Sequence, residues 1–408
     1  MKPLIARFAI VIFLVQAIAA SLASAYTRNY TVPAAGGCPL PNHQYIGSPA
    51  PALLRQWSTS LPSTIPPAIL TVAAPGTSAQ LNEIESAISQ SYGMWSGVSG
   101  TIVNASNFPT ALAPLARTSV QDACTNDTLS NADGINTICF NQSSAAFTTG
   151  VLSFTRLIIA DAPGQTFGSA PPSVFPGQIV DADIFIRNDG QATFAIPGAL
   201  ATAQGAGAYD LESVLGHELG HVFGLDHSGV WRAIMFPYAP PPGSFLGHRP
   251  SVSAPDAPLA DDDRVGIRSI YPDPVDTVDT GFISGSVFPA NPFALAILPA
   301  TATGQYVTGM FGAQIVAVDA STGSVIAGTL GGWTCDPANP PARFDGSYTI
   351  GPLPVGRSYL LYVEPFVGLV TPNDIAGGLY TLCGSPSSPV CTVPAVITNF
   401  NPRLRPGP

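Results

Sequence analysis

His217-Glu218-Leu219-Gly220-His221-Val222-Phe223-Gly224-Leu225-Asp226-His227-Ser228 is the stretch on which the reading of this chain turns. With Asp210 as the cap of a helix running through Leu211, Val214 and Leu215, His217 and His221 stand one turn apart. Residues i and i+4 share a helix face, so both rings can address one ion. Glu218 lies beside the first ring, where it can reach a water on that ion without binding the metal. Gly224 ends the helix, because glycine enters the left-handed region without steric cost. The turn it permits brings His227 back as a third ligand. Three neutral imidazoles and one open position are the donor set of a catalytic zinc, whereas closed structural sites favour cysteine. The chain has only 5 histidines, and three of them fall in this window. An ordinary polar helix would not concentrate them so, and the spacing is specific.

Working outward, the 408 residues leave room for two or three domains. Lys2 and Arg7 precede an apolar run from Phe8 to Ala20 and then Ala23-Ser24-Ala25. This is the pattern of a signal peptide, residues 1–25, cut before Tyr26. The run is too short for a bilayer that needs about 20 apolar residues, so export without a membrane span is expected. Charge is scarce, at 10% Asp, Glu, Lys and Arg, and the net charge is −10. Lys2 is the only lysine. An acidic chain without basic clusters argues against nucleic acid and anionic membranes as partners. The 42 prolines and 40 glycines favour turns and short strands.

Six cysteines in an exported chain point to disulfides. Cys124 with Cys139 and Cys383 with Cys391 are the favoured local pairs, leaving Cys38 and Cys335; spacing alone does not fix the connectivity. Residues 26–52 read as irregular. Ala68–Val72 reads as a strand, and Leu81, Ile84, Ile88, Tyr92 and Trp95 mark an amphipathic helix from Ser78 to Trp95. Thr101–Val103, Ile138–Phe140, Val151–Ile159 and Ile179–Ile186 read as further strands. Between them, Gln121 to Thr137 is a polar Asp/Asn loop. Its oxygens are of the type that binds Ca2+, with a solvated loop the preferred reading. Ala233-Ile234-Met235-Phe236-Pro237-Tyr238 is a short apolar turn, and a last helix runs from Leu259 to Tyr271. From Gly281 the texture is all-β, with strands at Phe282–Phe288, Ala313–Val318 and Tyr359–Val363, and a β-sandwich fits.

These residues together resemble the catalytic domain of the metzincin zinc peptidases. Ser228 after the third histidine, the Ala233–Tyr238 turn, and Leu259–Tyr271 with Asp262-Asp263 and Gly266-Ile267 point to the matrixin branch. The resemblance implies an α+β fold: a zincin-like domain over residues 53–275 with a mixed β-sheet and an active-site helix. It implies one catalytic Zn2+ on His217, His221 and His227, Glu218 as general base, and Met235 in the turn beneath the metal. Pro237 and Tyr238 would line the substrate pocket, and the Val151–Ile159 edge would receive a peptide or protein substrate. Two departures stand out. Matrixins usually hold a second, structural zinc through further histidines; only His43 and His248 remain here, so that ion is expected to be absent. Their propeptide latch is a cysteine in P-R-C-G-x-P-D, to which Gly36-Gly37-Cys38-Pro39-Leu40-Pro41-Asn42 is only loosely similar. A disulfide role for Cys38 is preferred over a latch. Residues 281–402 resemble the transthyretin-like or carboxypeptidase-regulatory-like sandwich appended to exported bacterial enzymes, on Ile283–Val287, Gly312–Ala317 and Gly346–Gly356. The expectation is a secreted, bacterial zinc metalloendopeptidase, with no indication of oligomeric state. The alternative is an exported binding or adhesion protein whose zinc-peptidase fold is vestigial.

Overall fold

The computed structural model describes residues 78–103, 132, 136–141, 147, 149–187, 191–195, 208–242, 256–273, 279–288, 309–310, 313–331 and 345–364, together with five short strands nearer the N-terminus. Those five are β1 (Tyr30–Thr31), β2 (Leu40–Pro41), β3 (His43–Gln44), β4 (Leu54–Ser58) and β5 (Thr110–Leu115). The signal peptide, the Ala68–Val72 strand, His248 and every cysteine except Cys139 lie outside the described residues, as does most of the Gln121–Thr137 loop. Cys139 is disulfide-bonded.

A mixed sheet carries the first half of the chain. Its further strands are β6 (Thr137–Asn141), β7 (Ser153–Ile159) and β8 (Gln178–Arg187). β8 pairs in parallel with β3 near its start and with β6 near its end, and β6 continues to β4 and β5, also in parallel. β7 alone runs antiparallel, against β8, with Phe154 opposite Phe185 and Leu157 opposite Ala182. β8 is buried along most of its length while β7 is mostly half-exposed. That is the pattern of a covered central strand beside a sheet edge. The expected strand at Thr101–Val103 is absent: Thr101 makes only an isolated bridge to Pro272, with Ile102 N–H donating to the Tyr271 carbonyl at 3.0 Å. A three-residue apolar run with no neighbouring ladder to join cannot propagate as a strand.

Among the described residues, three helices accompany this sheet. α1 (Ser78–Ser96) is the helix expected there from the sequence, and its Ile88, Met94 and Trp95 are completely buried. α2 (Leu211–Val222) follows the short strands β9 (Phe194–Ala195) and β10 (Tyr209–Asp210), which pair in parallel. α3 (Asp261–Ile270) closes this half. α1 and α2 approach closely because α2 carries glycines at the contact. A Cβ on Gly216 would meet the Met94 sulfur at 3.0 Å, and one on Gly220 would lie 2.1 Å from the Met235 sulfur. Each glycine costs a helix about 1 kcal/mol relative to alanine. Close packing is what that cost permits: Trp95 Nε1 donates to the Gly216 carbonyl at 2.8 Å, and the Ser91 hydroxyl reaches the Glu212 carbonyl at 2.9 Å.

The C-terminal strands form two small antiparallel sheets. One joins β11 (Thr280–Ser286) to β14 (Ser347–Pro354); the other has the order β13 (Val325–Leu330), β12 (Gln314–Asp319), β15 (Tyr359–Glu364). Val287, Met310, Ala313 and Ile315 pack together, with Tyr348 and Val363 against them. A second set of their apolar residues, Ile326, Ala327, Ile350 and Leu353, belongs to the same buried cluster as Val265 and Ile267 of α3. The hydrophobic core is therefore continuous from the mixed sheet through α3 into the β-region.

Candidate metal centre

Asp210 sits at the N-cap of α2 in an extended conformation, but its side chain does not cap the helix. Its carboxylate accepts the Ser213 hydroxyl instead. The other end follows the expectation closely. Gly224 has φ +96°, its N–H donates to the His221 carbonyl at 2.9 Å, and Leu225 N–H donates to the Gly220 carbonyl at 3.0 Å. These two bonds are the Schellman pattern that satisfies the last helical carbonyls. Leu225 is buried just beyond the turn, so the chain is reversed and anchored one residue before Asp226-His227. Asp226 then accepts the His227 N–H at 2.8 Å.

The turn gathers the three imidazoles. Ring centroids lie 4.8 Å apart for His217 and His221, 5.2 Å for His217 and His227, and 5.0 Å for His221 and His227. One ligand nitrogen from each ring lies within 4.8 Å of the other two. His217 Nδ1 is 2.7 Å from the Ile234 carbonyl, and His221 Nδ1 is 2.8 Å from the Leu225 carbonyl. A carbonyl only accepts, so both Nδ1 atoms carry the proton and both Nε2 atoms present bare lone pairs. Those two Nε2 atoms are 3.2 Å apart. Neither can donate to the other, so the approach is repulsive unless a cation lies between them. Two nitrogens on a tetrahedral zinc at ~2.05 Å would be separated by about 3.3 Å. The donor set fits the ion.

Electrostatics point the same way. Burial, with the neighbouring imidazoles adding to it, lowers the His217 pKa to about 3 although Glu218 and the Ile234 carbonyl oppose the shift. Burial and His227 lower that of His221 to about 3 against the pull of the Leu225 carbonyl. Both rings are held neutral at ordinary pH, the form that ligates.

Glu218 is buried on α2 and lines the same cleft as the three histidines. Its carboxylate is gripped from the opposite wall: the Ser153 hydroxyl donates to Oε1, and the Thr155 hydroxyl donates to Oε2 at 2.6 Å. Ser153 and Thr155 are alternate residues of β7 and so lie on one face of it. Met235 packs its sulfur against the Gly220 backbone, between the two histidines of α2. Its turn is pinned by Asp263, which accepts the N–H of Ile234 at 2.8 Å, of Met235 at 3.2 Å and of Ala260 at 2.8 Å. Pro237 and Tyr238 line the cleft, Tyr238 with 43% of its surface exposed.

The cleft measures about 1430 Å³ and runs between β7 on one side and α2 with the Met235 turn on the other. Three contributors escaped the sequence reading: Ser153, Thr155 and Trp231, whose ring is 64% exposed at the cleft and stacks edge-on to Phe236 at 5.0 Å. The signal for Ser153 and Thr155 was a pair of hydroxyls at alternate positions of a mostly apolar strand. Nothing marked Trp231 apart from its position between the third histidine and the turn.

Residues 159–272 match the matrixin family. Over 113 residues the chain is 36% identical to Metalloendoproteinase 1 of Glycine max, covering 26% of this chain and 33% of that protein. It is 42% identical over 64 residues to Metalloendoproteinase 4-MMP of Arabidopsis thaliana, covering 16% of each. The chain thus spans a third or less of the length of these relatives. What is matched is the segment holding β8, α2, the Met235 turn and α3, which supports a matrixin-like metzincin site in this part of the molecule.

Proposed function

We propose that the chain is a zinc metalloendopeptidase, with His217, His221 and His227 as the metal ligands and Glu218 as the general base. The observation that carries this reading is the pair of bare Nε2 atoms 3.2 Å apart, each ring oriented from behind by a carbonyl. Bound there, zinc would lower the pKa of a water from ~15.7 towards ~7 and polarise a scissile carbonyl. Glu218 would take the proton of the attacking water on a carboxylate oxygen and pass it to the departing amine. The hydroxyls of Ser153 and Thr155 hold that carboxylate in one orientation during the transfer. Among the described residues β7 has one hydrogen-bonded neighbour, β8, and its outer edge would add a substrate as a further strand through main-chain bonds. Pro237, Tyr238 and Trp231 would receive a side chain of that substrate.

Peptide hydrolysis as an exported protein, under a signal peptide of residues 1–25, belongs to the same proposal. It is supported by the charged start, the apolar run and Ala23-Ser24-Ala25. For residues 281–402 we propose the carboxypeptidase-regulatory-like sandwich, supported by the two antiparallel sheets and the side chains packed between them. The test is metal analysis of the purified protein with mass-spectrometric profiling of peptide cleavage, on the parent and on Glu218→Gln. The variant is expected to keep stoichiometric zinc and lose cleavage by roughly 10²–10⁴-fold, the usual contribution of a general base. Cleavage at the parental rate would remove Glu218 from its role. Zinc without any cleavage by the parent would favour a vestigial site in a binding protein.

A further inference from the structure

Of the three ligands, His227 is the one without a helix behind it. It sits on the loop that follows Gly224, and its orientation depends on what fixes its neighbours. Ser228, the next residue, is 2% exposed and tied twice: its N–H donates to the Met235 carbonyl at 2.8 Å, and its hydroxyl donates to Asp262 Oδ2 at 2.6 Å. The same hydroxyl oxygen accepts the Val230 N–H at 3.0 Å. Asp262 is itself 1% exposed, and its other oxygen, Oδ1, accepts the N–H of Gly328 at 2.7 Å. Gly328 lies in β13, the outer strand of the three-stranded C-terminal sheet. An edge strand carries unpaired amides, and here one of them is spent on a buried carboxylate of α3.

The packing around this bond is equally close. A Cβ on Gly328 would lie 2.7 Å from Val230 Cγ2, so the absence of a side chain lets β13 press on the loop two residues past Ser228. Just before Gly328, Ile326 and Ala327 join the buried cluster of Val265 and Ile267. A buried carboxylate with one of its donors withdrawn costs far more than the net worth of a bond. Asp262 is therefore held by both partners or reorganises as a unit.

We propose that the C-terminal β-region is a structural part of the metal centre, coupled through Asp262 and Ser228 to the loop that presents His227. Retention of the metal and docking of β13 on α3 stabilise one another. The inference rests on the zinc reading of the histidines. Linkage makes the coupling reciprocal: what strengthens one site by docking must in turn loosen when that site is emptied.

The decisive experiment uses the unaltered full chain. Amide hydrogen exchange is followed with zinc bound and after a chelator has removed it, and zinc content is measured on the same samples. Exchange in the segment Val325–Leu330 is expected to accelerate about five-fold or more on metal removal, while β15, on the far edge of the same sheet, keeps its protection. Unchanged exchange at Val325–Leu330, or equal acceleration of β15, overturns the proposal. A chain that takes up no zinc fails the earlier reading instead, and the zinc measurement tells the two apart. A second arm compares the rates at which a chelator strips zinc from Ser228→Ala, Gly328→Ala and the double variant. Each single change is expected to speed the loss several-fold, and the double variant to lose zinc more slowly than the product of the two effects. Multiplying effects would break the proposed path through Asp262.

Discussion

The two walls of the cleft are held by different means. On the helix wall, α2 is buried over nearly all its residues, and His217 and His221 are each fixed by a backbone carbonyl from a separate segment. On the strand wall, β7 is half-exposed along almost its whole length and reaches the Glu218 carboxylate through the hydroxyls of Ser153 and Thr155. The helix wall has the attributes of a preorganised metal site, in which outer partners set ring tautomer and direction. The strand wall has those of a surface that must admit a substrate and release it. On the proposed reading, holding the metal falls to the helix wall and receiving the substrate to the strand wall, and Glu218 is the residue on which the two converge.

The comparison is broken most forcefully from the helix side. Gly220→Ala places a methyl 2.1 Å from the Met235 sulfur and 3.0 Å from the Trp95 ring. Although alanine is the better helix former by about 1 kcal/mol, overpacking of this kind costs typically about 1–3 kcal/mol. Urea denaturation should show a net loss of stability, together with faster removal of zinc by a chelator. A variant more stable than the parent would mean that the glycine is not required by packing.

The strand side should respond differently. Thr155→Val keeps the shape and removes one donor to the Glu218 carboxylate, and Ser153→Ala removes the other. A bond to a charged group contributes about 1.5–3 kcal/mol, so each change is expected to lower kcat about ten-fold or more with zinc content intact and KM little altered. Thr155→Ser should recover most of the loss. A rise in KM at constant kcat would assign these hydroxyls to substrate binding instead.

A further expected effect is on the pH dependence of the metal-free protein. His217 and His221 have folded pKa values lowered to about 3, against 6.5 for the free side chain. Between those values the unfolded chain binds more protons than the folded one, so stability rises with pH there. The contribution is complete above about pH 6.5 and is lost as pH falls towards 3. Denaturation midpoints measured without metal at pH 7.5 and pH 5 should therefore differ, the acid value being lower. Replacing both histidines with glutamine should reduce that difference.

How much of this was legible in the sequence follows from which contacts are local. The two helical histidines, Glu218 and the glycine that ends α2 fall within a few residues of one another, and a periodic pattern with a known stop signal describes them fully. The grip on Glu218 comes from residues 65 and 63 positions earlier, and no spacing rule connects them. Gly216 and Gly220 would count against a helix by intrinsic preference, yet tertiary packing against Met94, Trp95 and Met235 demands them. Asp262 and Asp263 fall at the start of the last helix expected from the sequence, and nothing in their spacing tells what they hold. In the fold both are buried: Asp263 holds the Met235 turn, and Asp262 joins Ser228 to β13. Burial pushes the Asp262 carboxyl well above the usual range, with the neighbouring Asp263 adding to it, while the bonds from Ser228 and Gly328 pull it back. The core runs on from α3 into the C-terminal strands because the apolar face of β13 and β14 is complementary to a helix far from it in sequence.

The central claim is that three ring nitrogens share one cation. X-ray absorption at the zinc edge of the metal-loaded protein tests it most directly. The account predicts a four-coordinate ion with three imidazole nitrogens and one light-atom ligand at ~2.0–2.1 Å, and a loss of bound zinc on His227→Ala. Two imidazoles or fewer, a sulfur ligand, or full zinc retention by His227→Ala would contradict it.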